Sequence, residues 1–181
     1  PALDIRRLRA ELGHVTFDPG FANTANAKSS LTYINGAAGE LRHRGYGIED
    51  LALNCSFLEV AYLLLYGKLP NAEELATWEH SINTHTLLNE EMRSFFDAFP
   101  RRAHPMAVLS SATNAISTFY DVYRRPTRKV EIDAGARTLI AKLPTVAAWA
   151  YKKSIGEPYV YPSNDLDYVE NFLHMMFARP V

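Results

Sequence analysis

The sequence contains a single cysteine, Cys55, among its 181 residues. One thiol cannot form an intrachain disulfide or a multi-cysteine metal site, and such cysteine usage is typical of a reducing compartment. Charge of one sign is not in excess either, since 19 Lys and Arg face 20 Asp and Glu at a net charge of −1. Modules that bind nucleic acid are normally strongly basic, so no nucleic-acid partner is expected.

Long hydrophobic runs are missing as well. The longest, residues 60–66, ends at Gly67 and Lys68, whereas a membrane-spanning helix requires about 20 apolar residues. The N-terminus carries no apolar signal-peptide core. We therefore expect no membrane partner and a cytoplasmic location. The chain starts with proline instead of methionine, which indicates processing or a piece of a longer polypeptide.

The usual signatures of catalysis and nucleotide binding are also lacking: the P-loop, the dinucleotide glycine pattern, HExxH and GxSxG. Gly45-Tyr46-Gly47 predicts a turn. His80 and His85 are five residues apart, which does not suit a metal pair on one helix face. We interpret the remaining histidines as structural or surface residues: His104 as a helix cap, His43 facing solvent or a partner, His14 in a loop and His174 as a packing residue.

We interpret three acidic pairs and one basic stretch as structural features and not as parts of a site. Glu73-Glu74, Glu90-Glu91 and Asp165/Asp167 each lie at a predicted helix N-terminus, where the helix dipole favours carboxylates. The basic stretch 124–129 lies between predicted helices without interleaved aromatic residues, so we interpret it as a solvated loop.

What the sequence does have is 48% hydrophobic residues, enough for a sizeable core. Residues 1–48 are β-rich: short β-favouring runs include 15–17 and Leu31–Ile34, and Asn35-Gly36 predicts a hairpin whose return strand covers Gly39–Tyr46. Residues 49–181 are helical. The fold class is therefore mainly α, with a small N-terminal β-rich segment.

The predicted helices are bounded by caps and prolines. Phe57–Tyr66, with a capping box at Ser56 and Glu59, is apolar nearly all round and should be deeply buried. Pro144 should break or kink the helix that contains it. The other predicted helices cover Asn71–Asn83, Glu90–Phe99, Pro105–Tyr123, Lys129–Ser154, and a last one to Phe177 capped by Ser163 or Asn164.

Several segments, in order, resemble citrate synthases of the bacterial type. They are Phe17–Phe21, Tyr33–Gly36, Leu41–Leu51, Leu58–Gly67, Leu69-Pro70, His104–Val108, Lys142–Thr145, Ser154–Pro158, Tyr161–Leu166 and Asn171–Phe177. The resemblance covers essentially the whole chain. It implies the N-terminal part of the large helical domain, without the small catalytic domain.

The resemblance also implies an activity for a longer parent. Full-length members condense acetyl-CoA with oxaloacetate, and their catalytic histidines, catalytic aspartate and substrate-binding arginines follow the point where this chain ends. No catalytic, cofactor-binding or metal-binding residue is therefore assigned here, no cofactor is expected, and the chain alone should be inactive. Two alternatives stay open: part of a 2-methylcitrate synthase that uses propionyl-CoA, and a helical interaction module without enzymatic activity.

Two kinds of partner follow from the same resemblance. Residues 105–123 and 129–154 match helices of a dimer interface, which predicts a homo-oligomer. Tyr120, His85 and Lys142 match positions of an allosteric NADH site in some relatives. Thr84 and Thr138 stand where that site has arginines, so NADH sensing is not expected.

Overall fold

A computed structural model describes residues 4–21, 24–25, 28–120 and 128–178. Helix α1 (Leu8–Leu12) and a short 3-10 turn (Pro19–Phe21) precede a three-stranded sheet, and helices follow from Ile48 onward. The mainly helical architecture with a small β segment is confirmed. Residues 15–17, expected to favour a strand, form none. Within the described residues, no helix is long and apolar enough to span a bilayer.

The sheet consists of β1 (Thr32–Asn35), β2 (Glu40–His43) and β3 (Tyr46–Gly47), paired antiparallel in that order. In the first hairpin Asn35 pairs with Glu40, and the positive φ lies at Gly39 (66°) instead of at the expected Asn35-Gly36. The second hairpin was missed by sequence analysis. Arg44 and Gly45 form its turn, with φ of 52° and 94°, so His43 pairs with Tyr46. Of the turn expected at Gly45–Gly47, only Gly45 lies in a turn, and the other two residues form β3.

Two capping boxes fix the next helices. After α2 (Ile48–Asn54), α3 (Phe57–Tyr66) starts where the Glu59 N–H donates to Ser56 Oγ at 3.2 Å and the Ser56 N–H donates to the Glu59 carboxylate at 2.7 Å. Helix α4 (Ala72–Asn83) starts in the same way at Asn71 and Glu74. Both boxes satisfy backbone donors that have no partner inside the helix, as the sequence predicted.

Helices α5 (Met92–Asp97) and α6 (Pro105–Ile116) are shorter than expected. In α6, the Met106 N–H donates to His104 Nδ1 at 3.2 Å, so His104 is the predicted cap. Turns follow Ile116, and the rest of the predicted helix, residues 121–123, lies outside the described residues, as does most of the basic stretch 124–129.

Helix α7 (Lys129–Ile155) runs through Pro144 without a break. Of the two predicted effects of this proline, a break or a kink, the break does not occur. Proline has no N–H, so the carbonyl four residues earlier, that of Ile140, loses its intrahelical donor. The Tyr168 hydroxyl donates to this carbonyl at 2.8 Å. A side chain from another helix thus satisfies the group that the proline leaves unpaired.

Helix α8 (Tyr168–Phe177) starts later than expected. Its cap is Asp167, whose carboxylate accepts from the Glu170 N–H at 2.7 Å, and not Ser163 or Asn164. Ser163 is engaged elsewhere: its N–H and carbonyl pair with the Asn171 side chain at 3.0 and 2.9 Å. The loop before α8 is therefore fastened to the helix instead of being its first turn.

The core consists of two clusters of buried side chains. The larger joins α5, α6 and α7 around Phe96 and Trp149, whose rings meet edge to face with centroids 5.9 Å apart. The smaller joins α3, α4 and α7 around Trp78, whose Nε1 donates to the Leu58 carbonyl at 2.9 Å.

Helix α3 is less buried than its composition predicts. Leu58 and Leu63 are buried, but Phe57 remains 57% exposed and Leu65 40% exposed. In this chain one side of α3 packs on α4 and the other faces solvent, so the expectation of deep burial is wrong for the structure described.

Candidate functional site

The connector between α4 and α5, residues 84–91, is held on α7 by two side chains. Lys142 Nζ donates to the carbonyl of His85 at 2.8 Å and to that of Leu87, and Thr145 Oγ1 donates to the Thr86 carbonyl at 2.8 Å. Three successive carbonyls are thereby paired by residues one helical turn apart. We refer to this arrangement as the connector clamp.

Lys142 has an unusual electrostatic environment. Its side chain is almost completely buried, and Nζ lies 4.8 Å from the centre of the Tyr120 ring. Burial lowers the pKa of Lys142 to about 8 because the charged amine loses hydration. Carbonyl dipoles and an aromatic face replace part of that hydration.

The three residues that match the allosteric NADH site of some relatives are thus partly brought together. Lys142, Tyr120 and the His85 backbone meet in the connector clamp, where two of the three amine hydrogens point to protein carbonyls. The threonine hydroxyls donate to nearby backbone carbonyls. Thr84, the residue that follows α4, donates to His80 at 2.7 Å, and Thr138 donates to Ala134 within α7 at 2.8 Å. These threonines add no positive charge, so the absence of NADH sensing stays our prediction.

Most of the acidic residues named in the sequence analysis that are considered next form hydrogen bonds to nearby backbone groups or side chains. Asp167 and Glu74 lie at helix N-termini as expected, and each takes part in a capping box. Glu90 does not cap α5: it accepts from Arg93 at 3.0 Å and from Tyr161 at 2.9 Å. The Arg93 guanidinium holds the pKa of the Glu90 carboxyl below its usual value.

The histidines are weakly engaged. His80 and His85 are exposed, as predicted, whereas His174 faces solvent and not the core. Within the part of the chain that the structure describes, no group of three His, Cys, Asp or Glu side chains could hold a metal ion.

Sequence analysis missed an aromatic cluster that surrounds Arg137. The guanidinium lies 5.4 Å from the ring centre of Trp78 and 5.9 Å from that of Tyr66. Asp133 accepts from Arg137 Nε at 2.8 Å and from the Tyr66 hydroxyl at 2.6 Å. Arg137 therefore already occupies the cationic position of this cluster.

A second buried cation was missed on α7. Lys152 is fully buried, and its Nζ donates to the Glu157 carboxylate at 2.7 Å and to the Ala178 carbonyl at 2.8 Å. It fastens the end of α8 to α7. The available signal was spacing: Lys142, Thr145, Trp149 and Lys152 recur at intervals of three and four, so both lysines lie on the helix face that carries Trp149.

An apolar groove lies between α6 and α7, the two helices expected at a dimer interface. Its volume is about 510 Å³, and the side chains that line it include Met106, Leu109, Leu139 and Leu143. Met106 is 61% exposed. The groove is therefore open to a further apolar surface.

Comparison with known proteins then identifies the family. The model of "Citrate synthase, C-terminal domain" matches residues 20–181. The chain belongs to the citrate synthase family. Its placement in the N-terminal region of the full-length enzyme stays a prediction.

Curated relatives of this citrate synthase family member include citrate synthase 1 of Mycobacterium tuberculosis, in strains CDC 1551 / Oshkosh and H37Rv. Each is 54% identical over 173 residues, covering 96% of this chain and 40% of the relative. The chain thus spans less than half the length of the curated relatives that it matches.

Solved structures show the same fold. Citrate synthase from Pyrobaculum aerophilum aligns with a TM-score of 0.81 at 31% identity, over 90% of this chain and 43% of that protein. Citrate synthase from Thermoplasma acidophilum, solved in a ternary complex with carboxymethyl coenzyme A and oxaloacetate, aligns with a TM-score of 0.83 at 24% identity, over 91% of this chain and 43% of that protein. The latter likeness concerns the fold alone.

Proposed function

We propose that the chain is the framework part of a citrate synthase whose full-length form condenses acetyl-CoA with oxaloacetate to citrate and CoA, and that the chain alone is inactive. One observation carries the proposal: 54% identity to a citrate synthase over 96% of this chain, which spans only 40% of that relative. Co-substrate binding then belongs to the complete enzyme.

The chemistry explains why a framework is insufficient. Removing a weakly acidic methyl proton requires a positioned base, and the forming enolate requires hydrogen-bond donors aimed at its oxygen. A dianionic keto acid requires arginines free to bind carboxylates. Lys142 and Lys152, the two buried lysines of the described residues, donate instead to protein carbonyls and to Glu157.

A chimera tests the activity of the parent. We would replace the matched part of M. tuberculosis citrate synthase 1 by this chain and follow oxaloacetate-dependent thiol release from acetyl-CoA. We expect activity within about tenfold of the relative. A folded chimera without activity would contradict the proposal.

We further propose a homodimer through α6 and α7, supported by the open apolar groove between them. Met106 is exposed at its edge. Met106→Glu should shift the chain toward monomer in sedimentation velocity, whereas Ala76→Glu, on an exposed position of α4, should not. Monomeric behaviour of the unmodified chain at high concentration would contradict this interface. The cytoplasmic location stays a prediction.

A further inference from the structure

The first hairpin has an asparagine followed by a glycine at its outer end. Asn35 is the last residue of β1 and pairs with Glu40. Gly36 begins the turn that leads to β2, and it is exposed. A Cβ placed on Gly36 would meet no heavy atom within 4 Å apart from its chain neighbours. The peptide bond between these two residues is therefore open to solvent and uncrowded.

Both nitrogens at this position are free of hydrogen bonds within the described residues. The Gly36 N–H donates to no described residue, and neither does Nδ2 of Asn35. Bonding of the Gly36 nitrogen to Cγ of Asn35 would close a five-membered ring. A nucleophile in the same chain segment acts at a high effective concentration, and glycine has no Cβ that would obstruct its approach.

The turn also polarises the side-chain carbonyl of Asn35. Its Oδ1 accepts a hydrogen bond from the Ala38 N–H at 3.2 Å. Negative charge develops on this oxygen when a nucleophile adds to Cγ, and a donor already fixed beside the oxygen lowers the barrier. The turn thus provides one donor for the oxyanion and leaves the attacking nitrogen unengaged.

We propose that Asn35 is a site of spontaneous deamidation through a cyclic imide formed with Gly36. The Gly36 nitrogen gives its proton to solvent and bonds to Cγ of Asn35. The bond between Cγ and Nδ2 breaks, and Nδ2 takes up a proton and leaves as ammonia. Water then opens the imide at either carbonyl, which produces aspartate or isoaspartate at position 35. The reaction goes beyond the proposed function and does not depend on it.

Each product alters the end of the sheet. Aspartate at position 35 places a carboxylate directly opposite Glu40, and like charges in a cross-strand pair are destabilising. Isoaspartate adds one carbon to the main chain at the turn, which disturbs the register of β1 and β2. Glu40 also lines an open groove of about 620 Å³ together with Gly39 and Gly47, so the modification changes the surface beside that groove.

Asn54 is a matched control in the same chain. It is exposed as well, but the N–H of the following Cys55 donates to the Leu51 carbonyl at 3.0 Å. Its own Nδ2 donates to the Asp50 carbonyl at 3.0 Å. Both nitrogens that are free at the hairpin are therefore engaged at Asn54.

Peptide mass spectrometry of the folded chain, incubated at mildly alkaline pH, measures both positions. Trypsin releases residues 29–42 and 45–68, which contain Asn35 and Asn54 as their only asparagines. We expect residue 35 to convert at least about tenfold faster than residue 54, and electron-transfer fragmentation to detect both aspartate and isoaspartate. Gly36→Ala should slow conversion at residue 35 at least about tenfold, with the hairpin retained because this position is uncrowded and has no positive φ.

A synthetic peptide of residues 29–42 gives the rate of the same reaction without the fold. Conversion of residue 35 in the folded chain within about tenfold of the peptide rate supports the proposal. Conversion no faster than at residue 54, while the peptide converts, would show that the fold protects Asn35 and would overturn the proposal. Formation of aspartate without isoaspartate would also overturn it, because direct hydrolysis passes through no cyclic imide.

Discussion

Removing the Tyr168 hydroxyl tests how α7 tolerates Pro144. Tyr168→Phe keeps the ring that stacks on Phe57 but deletes the donor to the Ile140 carbonyl. That carbonyl has no intrahelical donor, because the residue four positions later is proline. The substitution therefore leaves a backbone acceptor without its hydrogen bond inside the fold.

The expected magnitude follows from this loss. An unsatisfied buried acceptor costs about 1–3 kcal/mol, so Tyr168→Phe should lower the free energy of unfolding by about 2 kcal/mol. Pro144→Ala supplies a backbone N–H that can donate to Ile140. In the Pro144→Ala background the same tyrosine substitution should cost less than about 0.5 kcal/mol, which corresponds to a coupling energy of about 1.5 kcal/mol.

Urea unfolding followed by far-ultraviolet circular dichroism measures all four proteins of this cycle. Tyr33→Phe is the control, because Tyr33 is 53% exposed and its substitution should change stability by less than about 0.5 kcal/mol. Equal costs of Tyr168→Phe with and without Pro144 would show that the hydroxyl does not compensate for the proline, and would refute this reasoning.

Three further predictions concern single positions. Burial lowers the pKa of Lys142 to about 8 from 10.5, so the unfolded state binds more protons than the folded state at alkaline pH. Raising the pH from 7.5 to 9.5 should therefore increase the free energy of unfolding by about 2 kcal/mol more in this protein than in Lys142→Met. The same pH dependence of urea unfolding in both proteins would contradict this. Gly156→Ala should cost slightly more than Gly67→Ala in thermal unfolding. Both glycines have positive φ, but only at Gly156 would the new methyl group displace the Arg101 guanidinium, which donates to the Ile155 carbonyl. Equal shifts in Tm would count against a contribution from that hydrogen bond. Ser56→Ala should cost about 1 kcal/mol by loss of the α3 capping box, and an unchanged urea midpoint would refute that value.

Local signals in the sequence predicted much of the fold. Ser56 with Glu59, Asn71 with Glu74, and Pro105 after His104 each mark a helix start through a contact within four residues. Such contacts depend on the nearby sequence alone. The helix starts at these positions agree with the structure for that reason.

Errors arose where distant residues decide the outcome. Pro144 does not end α7, and Tyr168 supplies the missing donor to the Ile140 carbonyl across a separation of 28 residues. Ser163 does not cap α8, because Asn171 engages its backbone. Helical periodicity contains no information about either contact.

The candidate site was predictable to a similar degree. The resemblance grouped Tyr120, His85 and Lys142, and the structure brings these residues together in the connector clamp. Their hydrogen bonds could not be predicted, because the acceptors are backbone carbonyls, which every residue carries. The Arg137 cluster was missed for a related reason, since its rings come from two other helices.

The most direct test of the framework proposal is the rate of oxaloacetate-dependent thiol release from acetyl-CoA by the purified 181-residue chain. We expect no rate above that of the reaction without protein, while the chimera measured in parallel turns over. Robust citrate formation by the isolated chain would contradict the account, because the reacting groups would then have to lie within these residues.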